Sequence, residues 1–149
     1  MNFFIKLVTN QTFLTVVSGT VVYVLSQLFL EIVINPRKKY KQLKQKVLYT
    51  ISMYSCYYTC PYNLLNEKSN LRPVEEYQIA STELRKIGSE FASYIGTVPK
   101  FRFEKRKKLL EVQQSLIGLS NGLYIYRDYD PSKDNSECDK IIKKNLGYK

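Results

Sequence analysis

The chain has 149 residues, with 23 lysines and arginines against 13 acidic residues, three cysteines, and neither histidine nor tryptophan. The length suits one ordinary domain. The formal net charge of +10 indicates affinity for an anionic surface, either phospholipid headgroups or nucleic-acid phosphates. Because the chain contains no histidine, Ser-His-Asp hydrolases, Cys-His proteases and His-ligated metal sites are excluded as its own chemistry.

The first predicted element is a membrane-spanning helix. No charged residue occurs from Leu7 to Leu30, and the densest apolar stretch is Phe13–Ile34. About 20 helical residues cross a hydrocarbon core. A cleaved signal peptide would need a small-residue cleavage site after this stretch, and none is present. A buried core helix would have to account for the basic run that starts at Arg37. A single-pass anchor, residues 1–36, explains both features.

Basic residues follow the apolar segment, whereas only Lys6 and the amino terminus precede it. By the positive-inside rule, this asymmetry predicts an inner-membrane protein with its N-terminus outside and its C-terminus in the cytoplasm. The candidate contacts to anionic lipid headgroups are Arg37, Lys38, Lys39, Lys41 and Lys44, and Lys46 belongs to the same run. The side chain of Glu31 is expected to reach the membrane–water interface or to form an ion pair with Arg37 or Lys38.

Small and polar residues recur along one face of the predicted span: Thr15, Ser18, Gly19 and Ser26. The pair Thr15 and Gly19 has the small-xxx-small spacing that lets two helix backbones approach in lipid. This face is therefore a candidate for helix packing between copies of the chain. The alternative is that its hydroxyl groups are satisfied locally within the helix.

The rest of the sequence predicts an all-α fold, with a small cytoplasmic bundle of about three helices over residues 37–126. Asn35-Pro36 is expected to break or bend the membrane helix. Apolar residues then recur every three or four positions, which predicts helices over 37–58, 73–95 and 104–123. Residues 127–149 are expected to form a polar tail with a short helix at 136–145. The predicted inward positions are Leu43, Val47, Ile51, Tyr54 and Tyr58, then Tyr77, Ala80, Leu84, Ile87, Phe91 and Tyr94, then Leu109, Val112, Leu116, Leu119 and Leu123.

Nothing in the sequence indicates catalysis or a cofactor. Cys56 and Cys60 are four residues apart, but only Cys138 remains to complete a metal site. We favour the interpretation that the three cysteines are small packing residues. Lipidation of Cys56 or Cys60 is an alternative. The sequence contains no Gly-rich phosphate loop, H-E-x-x-H or G-x-S-x-G motif. The chain is therefore predicted not to be an enzyme.

A second basic cluster consists of Lys100, Arg102, Lys105, Arg106, Lys107 and Lys108, interleaved with Phe101 and Phe103. Three interpretations are open: a solvated helix start, a membrane-facing edge, or a site for an anionic ligand. Basic charge in a first helical turn opposes the helix dipole, which favours a functional reason. The candidate ligand-binding residues are Arg102, Lys105 and Arg106.

Two predicted helical segments read A-S-T-E-L-R-K-I-G-S at 80–89 and L-I-G-L-S-N-G-L at 116–123, and the connector between them contains Val98-Pro99. Together they resemble a family of small, uncharacterised bacterial single-pass membrane proteins. The resemblance implies an N-terminal membrane helix and a helical cytoplasmic part, without an active site to transfer. Ser120 and Asn121 are either polar contacts of a functional signature or the end of a helix capped by Gly122, and we favour the cap.

Two functional hypotheses follow. The first is a non-enzymatic membrane protein whose cytoplasmic domain self-associates or docks a protein partner, in stress or phage defence. The second is a binding module, tethered to the bilayer, for a nucleotide or RNA that contacts residues 100–108.

Overall fold

The computed structural model describes residues 11–98, 103–126 and 129–148, and these are mostly helical. The chain divides into two compact units, the first ending at Lys41 and the second beginning at Gln42. In chain order the helical elements are α1 (Gln11–Phe29), a π-helical turn (Leu30–Ile34), α2 (Asn35–Met53), α3 (Ser55–Thr59), a 3-10 turn (Glu67–Ser69), α4 (Val74–Thr97), α5 (Phe103–Asn121) and α6 (Ser132–Leu146).

Of the two outcomes expected at Asn35-Pro36, a break or a bend, the break does not occur, because helix continues on both sides of the pair. Asn35 has helical dihedral angles, φ −61° and ψ −44°, and its N–H donates to the carbonyl of Leu30 across the π-helical turn. Proline lacks an N–H to donate to the preceding turn, and π-helices, although rare, occur mostly as single turns inside α-helices. The irregularity therefore lies in Leu30–Ile34, and α2 begins directly after it.

The predicted inward positions of the second unit are confirmed with one exception. Leu43, Val47 and Ile51 of α2 are buried, as are all six predicted positions of α4 and all five of the 104–123 segment. Tyr58 is also buried, whereas Tyr54 is only half-buried. Tyr54 differs because α2 ends at Met53 and α3 starts at Ser55, so the helical period is interrupted at this residue.

Helix α5 packs against both α4 and α6. Two glycines lie at these crossings. A Cβ atom at Gly88 would come within 3.0 Å of the Ile117 side chain, and one at Gly118 within 3.1 Å of the Cys138 sulfur. The absence of a side chain at these two positions lets the helices approach closely, so the close packing of α4 and α6 against α5 depends on these glycines.

The C-terminal segment is not a separate polar tail. Helix α6 begins at Ser132, earlier than the predicted 136, and its Ile142 and Leu146 are buried against the rest of the unit. Gly147 ends it in the left-handed conformation, with φ 70°. Burial of two large apolar side chains is the physical reason that this helix docks instead of extending into solvent.

Gly122 does not have the left-handed conformation expected of a helix-ending cap. Among the described glycines, only Gly147 has a positive φ. The small size of Gly122 is required by Asn135, whose Oδ1 would lie 2.1 Å from a Cβ at this position. The Asn135 amide is buried and donates to the carbonyls of Gly122, at 2.6 Å, and Tyr58, at 2.8 Å. Asn135 therefore joins the ends of α3 and α5 to the start of α6.

A short parallel strand pair, absent from the sequence-based prediction, joins two loops. Strand β1 (Tyr62–Asn63) pairs with β2 (Tyr124–Ile125), and Tyr62 N–H donates to the Leu123 carbonyl at 2.8 Å. Beside it the ring of Tyr77 packs edge-on against Tyr57 and Tyr62, with centroids 5.1 and 5.4 Å apart. This aromatic cluster fastens the loop after α3 to α4.

Candidate membrane span and basic surface

Helix α1 belongs to a helical stretch that is long and apolar enough to cross a membrane. An 18-residue window within Gln11–Met53 has mean hydropathy 1.9, and none of that window is buried. Its large apolar side chains are exposed, for example Val22 at 63% and Leu25 at 60%. A soluble core helix would bury such side chains against protein, and here the described residues cover none of them.

Three of the four predicted packing residues have hydroxyl groups, and each of these donates to a carbonyl of α1 itself. Thr15, Ser18 and Ser26 donate to the carbonyls of Gln11, Thr15 and Val22 at 2.7–2.9 Å. A Cβ at Gly19 would meet nothing within 4 Å. All four predicted packing residues are exposed. The alternative considered from the sequence, that the hydroxyl groups form hydrogen bonds within their own helix, is observed for the three residues that have one.

The basic run after the span is mostly exposed. Arg37, Lys38, Lys39 and Lys41 are exposed, whereas Lys44 is half-buried, with its Nζ 4.4 Å from the ring centroid of Tyr148. The expected ion pair of Glu31 with Arg37 or Lys38 is absent from the described part of the chain. Glu31 itself is exposed, directly after the apolar segment.

The second basic cluster lies at the start of α5. Arg102 and Lys100 lie outside the described residues. Lys105, Lys107 and Lys108 are exposed and Arg106 is half-buried. Lys105 and Arg106 belong to the first turn of the helix, where positive charge opposes the helix dipole.

The fold brings the start of α5 together with the end of α6 and with Lys44. Asn145 Nδ2 donates to the Lys108 carbonyl at 3.4 Å and to Glu111 at 2.7 Å. Tyr148, which contacts Lys44, donates its N–H to the Lys143 carbonyl at 2.8 Å. We call this surface the basic end; it consists of Lys44, Lys105, Arg106, Lys107, Lys108, Lys143 and Lys144.

Carboxylates neutralise only part of the basic end. Lys143 pairs with Asp139 at 2.6 Å. Lys107, Lys108 and Lys144 have no carboxylate partner within the described ranges. Sequence reasoning missed Lys143 and Lys144, because they are 35 or more positions from the other cluster and only the docking of α6 brings them near it.

The two segments that carry the family resemblance contact each other. Ser81 donates to the Ser120 carbonyl at 2.9 Å, and Arg85 donates to Asn121 Oδ1 at 2.7 Å. Ser120 is buried, and its hydroxyl donates to the Ile117 carbonyl. These polar residues therefore hold α4 against α5.

The cysteines occupy packing positions or the surface. Cys56 and Cys138 are half-buried, Cys60 is exposed, and none forms a disulfide. Burial raises the pKa of the Cys138 thiol, which lowers its reactivity. Across the described residues, no group of three or more Cys, Asp or Glu side chains is arranged to hold a metal ion.

No protein-family model, curated protein or solved structure matches the chain.

Proposed function

We propose that the chain is a non-enzymatic, single-pass inner-membrane protein whose helical domain lies in the cytoplasm and self-associates or docks a protein partner. The observation that carries the proposal is the fully unburied apolar helix α1. Its backbone is hydrogen-bonded within the helix, and the hydroxyls of Thr15 and Ser26 bond to carbonyls of the same helix. Such internal satisfaction is what a segment needs in a hydrocarbon core that offers no water.

The orientation rests on the basic run that follows the span. Exposed cations at Arg37, Lys38, Lys39 and Lys41 lie directly after the apolar segment, and cytoplasmic flanks carry such an excess. The same side chains attract anionic headgroups, by about 1 kcal/mol for each basic residue near the surface. Gln42–Lys149 is then a small cytoplasmic helical bundle.

Cell fractionation tests the anchor and its orientation together. Cells that express the chain with a C-terminal tag are lysed and their membranes washed with carbonate. Spheroplasts are treated with protease before and after lysis. We expect the tag in the washed membranes and protected until lysis. A soluble chain would contradict the anchor, and cleavage in intact spheroplasts would contradict the orientation.

Self-association has a test of its own. The exposed face with Thr15, Ser18 and Gly19 offers the close approach that helix pairs use in lipid. Gly19→Leu is expected to reduce the oligomer size measured in detergent by light scattering. Val24→Leu, at another exposed position of α1, is the matched control. An unchanged size in Gly19→Leu would show that this face does not form the contact.

A further inference from the structure

We propose that the basic end binds the headgroups of anionic phospholipids, so that the start of α5 and the end of α6 rest on the bilayer surface. This inference rests on the proposed membrane anchor and names the lipid class that the folded unit would contact. It extends the lipid-contacting set to residues that the sequence order keeps far apart.

The first support is that basic residues from separate parts of the sequence lie at the same end of the folded unit. Three segments of the chain contribute cations to the same end, and each is tied there by a contact. Lys44 lies against the Tyr148 ring at 4.4 Å, and Asn145 reaches the Lys108 carbonyl at 3.4 Å. Seven basic residues on one surface form a field that attracts an extended anion more strongly than any single helix start would.

The second support is that folding alone does not account for these charges. Lys105 and Arg106 oppose the dipole of α5. Lys107, Lys108 and Lys144 lack a carboxylate partner in the described part of the chain. The mutual repulsion of such cations disfavours the folded unit, and a negatively charged surface relieves it.

Chain length favours a lipid over a nucleic acid. Lys44 follows Ile34 by only ten residues of chain. A headgroup layer adds roughly 5–8 Å beyond the hydrocarbon core, and the Debye length at physiological salt is about 8 Å. The first residue of the basic end is thus within reach of headgroup charge whenever α1 spans the bilayer. A nucleic acid would have to compete with that surface.

The test measures how fast individual lysines are acylated. Full-length protein is reconstituted into vesicles of phosphatidylcholine alone or with phosphatidylglycerol, labelled with an amine-reactive ester, and analysed by mass spectrometry. In the anionic vesicles we expect labelling of Lys107, Lys108, Lys143 and Lys144 to slow by about fivefold. Lys68, Lys86 and Lys133, exposed elsewhere on the unit, should change by less than about twofold. About 0.5 M NaCl should remove the protection.

Two charge-matched variants identify the surface. Lys107→Glu, Lys108→Glu and Lys144→Glu together should abolish the lipid-dependent protection of Lys143. Lys68→Glu, Lys86→Glu and Lys133→Glu together change the net charge equally and should leave that protection intact. If the first variant misfolds by circular dichroism, the wild-type comparison between lipids and the salt dependence still decide the question.

Three results would overturn the inference. Equal labelling of the wild type in both vesicles would show that the basic end does not bind lipid. Protection by soluble glycerol phosphate in phosphatidylcholine vesicles would indicate a site for a small anion. Protection by single-stranded RNA without any effect of phosphatidylglycerol would indicate a nucleic-acid surface.

The proposed anchor can fail separately. If carbonate releases the protein from membranes, purified chain is mixed with preformed vesicles instead. Protection by anionic vesicles alone would then support the basic end while rejecting the anchor.

Discussion

Helices α1 and α5 have the same length, 19 residues, and differ in what surrounds their side chains. Helix α1 has no charged residue, exposes many large apolar side chains and buries nothing. Helix α5 carries lysines on part of its surface, while Leu109, Val112 and Leu116 are at most 2% exposed. A helix with one apolar face is stabilised by protein packing, whereas one apolar all round requires an apolar environment on every side.

The comparison also separates two ways of satisfying polar groups. In α1 the hydroxyls of Thr15, Ser18, Thr20 and Ser26 bond to carbonyls of the same helix. In the second unit, side chains bond between elements, as Ser81 does to α5 and Asn135 does to α3 and α5. Polar substitutions are therefore expected to affect insertion in the first region and tertiary stability in the second.

The largest effect is expected from charge placed in the middle of α1. Val21 and Val24 are about half exposed, at 51% and 48%. Val21→Lys with Val24→Lys should oppose membrane insertion by about 5–7 kcal/mol, since each central lysine costs roughly 2.5–3.5 kcal/mol. Carbonate extraction should then release the protein.

The matched control places the same charges on the folded unit. Ile79 and Leu110 are exposed to a similar degree, at 58% and 41%. Ile79→Lys with Leu110→Lys should stay in the membrane fraction. If carbonate releases both double variants, or neither, from the membrane fraction, lysine is tolerated equally well in the two regions and α1 is not a membrane span.

Truncation of a core residue should give the next largest effect. Leu116 is 0% exposed at the centre of α5, and Leu116→Ala should lower the free energy of unfolding of the second unit by about 2–5 kcal/mol. Urea titration followed by circular dichroism in detergent measures it. Leu25→Ala, at a 60% exposed position of α1, should leave the urea midpoint unchanged. An equal shift in both variants would contradict the difference between the helices.

A double-mutant cycle sharpens the role of Asn135. Asn135→Ala should cost about 1–3 kcal/mol, since two carbonyls lose their buried donor. Gly122→Ala should also destabilise, because its Cβ would overlap the Asn135 side chain. In the double variant the overlap is gone. Its loss of unfolding free energy should therefore be smaller than the sum of the two single-variant losses by at least about 1 kcal/mol. Additive urea-derived free energies would show that the two residues do not interact.

The smallest effect is expected at alkaline pH. Burial and the neighbouring Asp139 raise the pKa of Tyr58, whereas an unfolded tyrosine ionises near pH 10. The unfolded state therefore loses its proton first, and stability decreases as pH rises above about 10. Tyr58→Phe should flatten the pH dependence of the melting temperature above about pH 9. Tyr49→Phe, exposed on α2, is the control and should follow the wild type.

Much of the second unit was predictable from spacing. Leu84, Phe91 and Leu116 belong to runs with a period of three or four residues, and that period specifies which helix face is buried. The strand pair was not predictable, since two-residue strands carry no alternation. Asn121-Gly122 indicated a helix end correctly, but the need for glycine comes from Asn135, 13 residues later.

The candidate sites divide in the same way. The sequence by itself determined the apolar segment and the basic run Arg37–Lys41, because both depend on composition over consecutive residues. Only the tertiary structure decided that Lys44, Lys108 and Lys144 belong to one surface. Their proximity depends on the docking of α6 against α5, which buries Ile142 and Leu146. Local sequence carries the period of a helix, whereas the pairing of its buried face is a property of the whole folded unit.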